Sequence, residues 1–154
     1  MALFISTFVN KVDRKGRVSV PASFRTALRG QTFNGVVAFR SYREATIEAC
    51  AIDRMKELSQ SLDALDQFSA EQDALASTIF ADAHQLPFDG DGRIILPPVL
   101  AEHASITDSA AFVGRGSTFQ IWAPETFARH QDAARKRVAE HGATVRLLPR
   151  PKGA

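Results

Sequence analysis

A short stretch that occurs twice constrains this chain more than anything else in it. Residues 12–24 read VDRKGRVSVPASF and residues 88–100 read FDGDGRIILPPVL. With Asp13 placed on Asp89, an offset of 76 residues, Gly16 falls on Gly92, Arg17 on Arg93 and Pro21 on Pro97 without a gap. Four more positions exchange one apolar residue for another: Val12 with Phe88, Val18 with Ile94, Val20 with Leu96 and Phe24 with Leu100. A match at fixed offset that preserves the apolar alternation marks a duplicated supersecondary unit. The chain reads as two copies of one module.

Each part of the unit has a physical reading. An Asp that opens a turn accepts hydrogen bonds from backbone amides just beyond it, and a Gly three residues on supplies the positive φ that other residues resist. Asp13 to Arg17 and Asp89 to Arg93 are therefore expected to be tight structural turns, built on Asp13, Gly16, Asp89 and Gly92. The short β-branched runs after them (Val18, Val20; Ile94, Ile95, Leu96) fit strands. Pro21, and Pro97 with Pro98, fit the first turn of a helix, where the missing N–H has no partner to lose. The unit is strand, turn, strand, short helix.

The remaining segments fall around these two units. Leu3 to Val9 suits a first strand. Phe24 and Leu28 lie on one face of a two-turn helix closed by Gly30. Residues 33–39 and 44–50 suit a hairpin around Arg40, Ser41, Tyr42 and Arg43. Ile52, Met55, Leu58, Leu62 and Leu65 recur at helical spacing, and Ser69-Ala-Glu-Gln opens a second helix as a capping box. Strands are expected at 110–114 and 118–122, a helix from Pro124 to a Gly142 cap, a strand over 144–148, and a loose tail, PRPKGA. The chain then divides into 1–51 for the first module, 52–83 for an acidic helical segment, 84–123 for the second module and 124–154 for a C-terminal helix and tail.

Charge separates the two copies. Between Lys11 and Arg29 six basic residues face a single acid, Asp13. The matching window of the second copy, residues 87–105, holds Arg93 against Asp89, Asp91 and Glu102. Residues 44–91 carry eleven acids and two bases, and residues 129–154 carry seven bases and two acids. The net charge of +2 hides this segregation, which suits an anionic polymer on one face. Arg14, Lys15 and Arg17 on the first turn, with Lys11 and Arg25 close in sequence, are the strongest candidates for contact with phosphates or a guanine edge. Arg93 survives in the acidic copy, so Arg17 and Arg93 are equally candidates for a structural role. Arg135, Lys136 and Arg137 form a rival patch, read as complementing the negative end of the last helix.

Other chemistries find little support. One cysteine, Cys50, excludes an intrachain disulfide framework and a Cys-based zinc finger, and a reducing compartment is expected. Asp89-Gly90-Asp91 resembles the start of a calcium loop, but the fifth position is Arg93 and the twelfth is Leu100, where a bidentate Glu belongs. His84, His103, His130 and His141 are scattered without helical pairing. No phosphate-cradling glycine loop, nucleophile elbow or triad spacing is present, so no enzyme, cofactor or metal is expected. No run reaches the roughly 20 apolar residues of a membrane span, and the N-terminus lacks the pattern of a signal peptide. The reading is a soluble, cytoplasmic protein whose basic first turn is either a phosphate-binding hairpin or a solvated one in which Asp13 and Arg17 merely pair.

The Asp-x-x-Gly-Arg turn leading into Val-Ser-Val-Pro and a short helix resembles the swapped-hairpin SpoVT/AbrB-type DNA-binding module. Two copies, in FISTFVNKVDRKGRVSVPASFR and FDGDGRIILPPVLAEHA, resemble the MraZ family of bacterial transcriptional regulators. The resemblance implies an α+β fold in which tandem AbrB-like swapped-hairpin modules interleave into one intrachain pseudo-twofold β-barrel with flanking helices. It implies a cyclic homo-oligomer that binds double-stranded DNA at repeated sites upstream of the cell-division and cell-wall gene cluster, its own promoter included, and associates with the nucleoid. Lys11, Arg14, Lys15, Arg17, Arg25 and Arg93 are then the expected DNA-binding residues. A ring-forming scaffold without sequence-specific binding and an enzyme whose site the sequence does not advertise stay open as alternatives.

Overall fold

The computed structural model describes residues 2–150. The chain divides into two compact units, Met1–Pro124 and Glu125–Ala154. Among its described residues the first unit carries eight strands and four helices in the order β1 (Thr7–Lys11), β2 (Arg17–Ser19), α1 (Ala22–Ala27), β3 (Gly35–Arg40), β4 (Ile47–Cys50), α2 (Ile52–Asp63), α3 (Ala70–Ile79), β5 (His84–Pro87), β6 (Arg93–Ile95), α4 (Pro98–His103), β7 (Ser109–Gly114) and β8 (Phe119–Trp122). It is an α+β fold built on antiparallel pairing.

The pairing is symmetric under exchange of the two repeats. Six strands form one sheet in the order β1-β7-β8-β4-β3-β5, and swapping each strand for its counterpart in the other copy returns the same order reversed. At the centre Glu48 faces Gln120 across β4 and β8. The first strand of each copy pairs with a late strand of the other, Lys11 facing Ser109 and Pro87 facing Gly35. The two remaining strands, β2 and β6, pair with each other, with Val18 facing Ile94. Those two residues occupy the same position in the sequence repeat, so the local axis of exchange runs through them.

The expected barrel does not close among the described residues. The six-stranded sheet ends at β1 and β5, and β2 with β6 forms a separate two-stranded sheet. Each of these two strands is three residues long and is bounded by a tight turn and a proline, which cannot donate to a ladder. The ribbon is linked back to β1 by an isolated bridge between Val12 and Val18 and by Asn10 Nδ2, which donates to the Ser19 carbonyl at 2.7 Å.

The main core lies where the copies meet. Of the apolar positions of the repeat, Val18, Val20, Phe24, Ile94, Leu96 and Leu100 are buried beside Phe4, Ile47, Phe112, Phe119 and Ile121, while Val12 and Phe88 are partly buried against them. Phe24 stands edge-on to Phe4 with ring centroids 5.3 Å apart and lies 5.0 Å from Phe119. Such aromatic pairs add about 0.5–1.5 kcal/mol each beyond their area burial. A second cluster joins Val37, Phe39, Cys50 and Met55 to Ile52, Leu58, Ile79 and Phe80, the apolar stripe of α2 and the end of α3. Arg40 at the end of β3 clips the α3–β5 connection, donating from Nη2 to Asp82 Oδ1 at 2.7 Å and from its amide to Oδ2 at 2.9 Å.

Helix ends obey the sequence signals. Pro21 and Pro97 sit at the N-caps of α1 and α4. Ser69 caps α3 by accepting from the Gln72 amide at 3.1 Å, while its own amide bonds Asp66, so one arm of the capping box forms.

Two expectations are corrected. The first strand begins at Thr7 rather than Leu3, because Ser6 has φ of 76° and breaks the extended run. Phe4 instead makes an isolated bridge to Gly116. The chain there passes so close to Gly114 that a Cβ on that glycine would lie 2.6 Å from the Ile5 Cα. The last helix, α5 (Pro124–His141), which from Glu125 on belongs to the second unit, is followed by Gly142, whose φ is 60°. Residues 144–148 form no strand, although TVRLL has the right composition. A lone extended segment gains no ladder hydrogen bonds, so composition alone does not hold it in a sheet. Of the expected loose tail, Pro149 and Arg150 lack regular structure and residues 151–154 lie outside the described residues.

Candidate nucleic-acid interface

The candidate site grows from the two turns. In the first, the Lys15 and Arg17 amides donate to Asp13 Oδ1 at 3.0 and 2.8 Å, and Arg17 Nε donates to Oδ2 at 2.6 Å. In the second, the Asp91 and Arg93 amides both donate to Asp89 Oδ1 at 2.9 Å, and Arg93 Nε donates to Oδ2 at 2.8 Å. Gly16 and Gly92 take φ of 82° and 74°, a left-handed conformation that costs a side-chain-bearing residue about 1–2 kcal/mol. The Asp-x-x-Gly-Arg spacing is thus a complete turn design, written twice.

These bonds tune the carboxylates. Against the desolvation of its position, the Arg17 and Lys15 amides and the Arg17 guanidinium hold the Asp13 carboxyl below its ordinary range. For Asp89 the Arg93 amide is the largest influence, and the carboxyl is again held low. Arg93 is raised above the usual guanidinium value, first by its hydrogen bond to Asp89 and also by the charges of Asp91 and Asp13.

The turns are also locked to each other. The Leu96 amide donates to the Gly16 carbonyl at 2.8 Å and the Val20 amide donates to the Gly92 carbonyl at 3.2 Å. The two turns therefore flank opposite ends of the β2–β6 ribbon. Alternation along the ribbon buries Val18 and Ile94 and leaves Arg17, Ser19, Arg93 and Ile95 on the outer face.

The six expected DNA-binding residues separate into three groups. Lys11, Arg14 and Lys15 are exposed and make no ion pair among the described residues, so their charges face outward unneutralised. Arg17 and Arg93 lie on the ribbon but each is tied to the Asp of its own turn, and Arg93 Nη2 also lies 3.3 Å from Asp91. Arg25, half-buried on α1, donates to the Asp91 carbonyl at 3.4 Å and fills the space where a Cβ on Gly92 would stand. Its guanidinium braces the second turn. Sequence reasoning missed that role, and it missed Ser19 and Ile95 on the outer face, although the period-two alternation after Arg17 and after Arg93 marks them. Of the rival patch, Arg135, Lys136 and Arg137 lie on α5 short of its last turn, outside the reach of the helix-end dipole.

No group of three or more His, Cys, Asp or Glu residues is placed to hold a metal among the described residues. Cys50 ends β4 at 2% exposure, and burial pushes its thiol up to about 12. No described helix is long and apolar enough to cross a membrane.

Comparison with known proteins agrees with the duplicated turn. A family model described as "MraZ protein, putative antitoxin-like" matches residues 79–147. The chain is 48% identical over 146 residues to a transcriptional regulator MraZ of Rickettsia akari (strain Hartford), covering 95% of this chain and 98% of the relative. The chain belongs to the MraZ family. Relatives of the same name from Rickettsia rickettsii (strain Sheila Smith) and Rickettsia bellii (strain OSU 85-389) are 47% and 46% identical, each again covering 95% of this chain. MraZ relatives thus align across both repeats, whereas the family model spans the second turn, α4, the β7–β8 hairpin and α5.

Proposed function

We propose that this MraZ-family chain is a DNA-binding transcriptional regulator that reads duplex DNA with the first turn and the outer face of the β2–β6 ribbon. The observation that carries this is the set of unpaired cations Lys11, Arg14 and Lys15 at one end of a rigid ribbon whose outer face holds Arg17, Ser19 and Arg93. A two-stranded ribbon fits the roughly 12 Å major groove. Lys and Arg at its tip neutralise phosphates, and an Arg freed from its Asp would reach a base edge. The second turn, with two acids to one Arg, contributes less. The exchange of strands between copies supports the swapped-hairpin relationship to AbrB-type modules, and the four divisions 1–51, 52–83, 84–123 and 124–154 remain part of this reading.

The finer features belong to the same proposal. The protein acts in the cytoplasm on the nucleoid, at repeated sites in the promoter of the cell-division and cell-wall cluster that includes its own gene. Head-to-tail contacts that close into a ring would align several basic turns on one rim, and binding to repeated sites would gain from avidity. Leu3, Ile5 and Val9, more than half exposed beside the edge strand β1, favour self-association. No enzymatic role is proposed.

Fluorescence anisotropy of the purified protein against its own upstream region and a scrambled duplex at near-physiological salt tests the proposal. Tight binding to the upstream region alone supports it. Equal binding to both duplexes, or none to either, leaves a ring-forming scaffold as the better account.

A further inference from the structure

A second site lies away from the ribbon. An open groove of about 430 Å³ runs between the C-terminal end of α1, the start of α2 and the β7–β8 turn, lined in part by Thr26, Arg29, Gln31, Asp53, Arg54 and Glu57. Its size lies toward the small end of the roughly 300–1,000 Å³ usual for small-molecule pockets. The groove mixes charges of both signs on opposite partners. Arg29 is exposed and its guanidinium makes no bond among the described residues. Arg54 uses Nη1 on Glu57 at 2.9 Å, while its buried Nε has no partner. Gln31 spends its carbonyl on the Asp53 amide at 3.3 Å, which leaves its NH₂ group to donate. The Asp53 and Glu57 carboxylates are both largely exposed on the same wall, with side-chain exposures of 54% and 56%.

A guanidinium offers five donors, so Arg29 and Arg54 together hold most of theirs in reserve. Asp53 lies 3.8 Å from Lys56 Nζ and Glu57 lies 2.9 Å from Arg54 Nη1, yet both carboxylates stay largely exposed, so unspent guanidinium donors and exposed carboxylates lining one groove match a ligand that carries both charges. We infer that this groove binds a small zwitterion of the amino-acid or short-peptide class, its carboxylate held by Arg29 with Arg54 and Gln31, and its ammonium held by Asp53 and Glu57. Paired guanidinium–carboxylate contacts give such a ligand its orientation. A simple anion would meet the two carboxylates and a simple cation the two guanidinium groups, so neither is favoured. The groove does not include the candidate DNA-binding residues, and the inference stands apart from the DNA-binding reading.

The test titrates glycine, diglycine and triglycine into the ¹⁵N-labelled full-length protein and tracks its amide resonances. N-acetylglycine, which lacks the ammonium, and glycinamide, which lacks the carboxylate, serve as controls. The expected result is saturable shifts at Arg29, Gln31, Asp53 and Arg54 with at least one of the three zwitterions. Arg29→Ala and Glu57→Gln, both at exposed positions, should each weaken that binding at least tenfold with the rest of the spectrum unchanged. Either of two results would overturn the inference: no saturable shift at these residues with any of the three, or equal binding of N-acetylglycine or glycinamide.

Discussion

The Gly16 carbonyl accepts a hydrogen bond from the Leu96 amide at 2.8 Å, so the turn of the first copy is completed by the strand of the second. The reciprocal bond from the Val20 amide to the Gly92 carbonyl makes the dependence mutual. Neither turn holds its full hydrogen-bond set until both copies are in place.

Gly16→Ala tests that dependence. A Cβ at Gly16 would stand 3.0 Å from the Leu96 carbonyl oxygen, and the residue has φ of 82°. The expected loss is about 1–2 kcal/mol from the left-handed conformation, with more if the ribbon must shift. Gly90→Ala, with nothing within 4 Å of its added Cβ, is the control and should lie within about 0.5 kcal/mol of the parent. Urea unfolding midpoints of the two variants measure the difference, and equal midpoints would show that the turn tolerates a side chain.

Acid stability should report the two turn carboxylates. Asp13 and Asp89 have folded pKa values below the ordinary 3.8 of an Asp, so their contribution is present above that value and is lost as pH falls through the folded values. Asp13→Asn and Asp89→Asn should therefore be less stable than the parent at neutral pH, and the gap should narrow below pH 3.8. Unfolding curves recorded from neutral to strongly acidic pH check the sign. A gap that widens in acid would contradict the assignment.

DNA binding should depend on charge at the first turn. If Arg14 and Lys15 each neutralise one phosphate, replacing both with Ala should flatten the slope of log K against log[salt] by about 1.8. The same pair of substitutions should leave the unfolding midpoint almost unchanged, since both side chains are exposed and unpaired among the described residues. Arg17→Ala should lower both affinity and stability, because Arg17 also bonds Asp13. An unchanged salt slope in the double variant would move the DNA surface elsewhere.

Cys50 should act as a reporter of unfolding rather than as a reactive group. With its thiol pushed up to about 12 by burial, the thiolate fraction is negligible at neutral pH. A thiol-specific chromogenic reagent should label the native protein no faster than it opens, and labelling should become immediate in denaturant. Rapid labelling of the folded chain would show that β4 opens locally.

Much of the fold is legible in the sequence because it is local. The Asp-x-x-Gly-Arg spacing specifies which amides reach the carboxylate and where φ must be positive, and the turns at Asp13 and Asp89 form accordingly. Ser69 announces α3 through a bond three residues long. The strand expected at 144–148 does not form, because its composition is local while its hydrogen-bond partner would have to be distant. The start of β1 is displaced because the bend at Ser6 answers to Gly114, far along the chain. Arg25 carries no sign in the sequence that its guanidinium braces the second turn rather than standing free.

By itself the sequence determined that there are two copies of one unit, what each turn looks like inside, and which copy carries the excess of positive charge. Offset, residue type and short-range hydrogen bonding are enough for those conclusions. The tertiary structure decided that β1 pairs with β7 and β5 with β3, that Val18 meets Ile94, and that the two turns close on each other's strands. Two repeats with the same apolar pattern can satisfy their ladders within a copy or between copies. The choice rests on which arrangement buries Phe24, Leu100 and their neighbours in one shared core, a long-range packing property that no local pattern encodes.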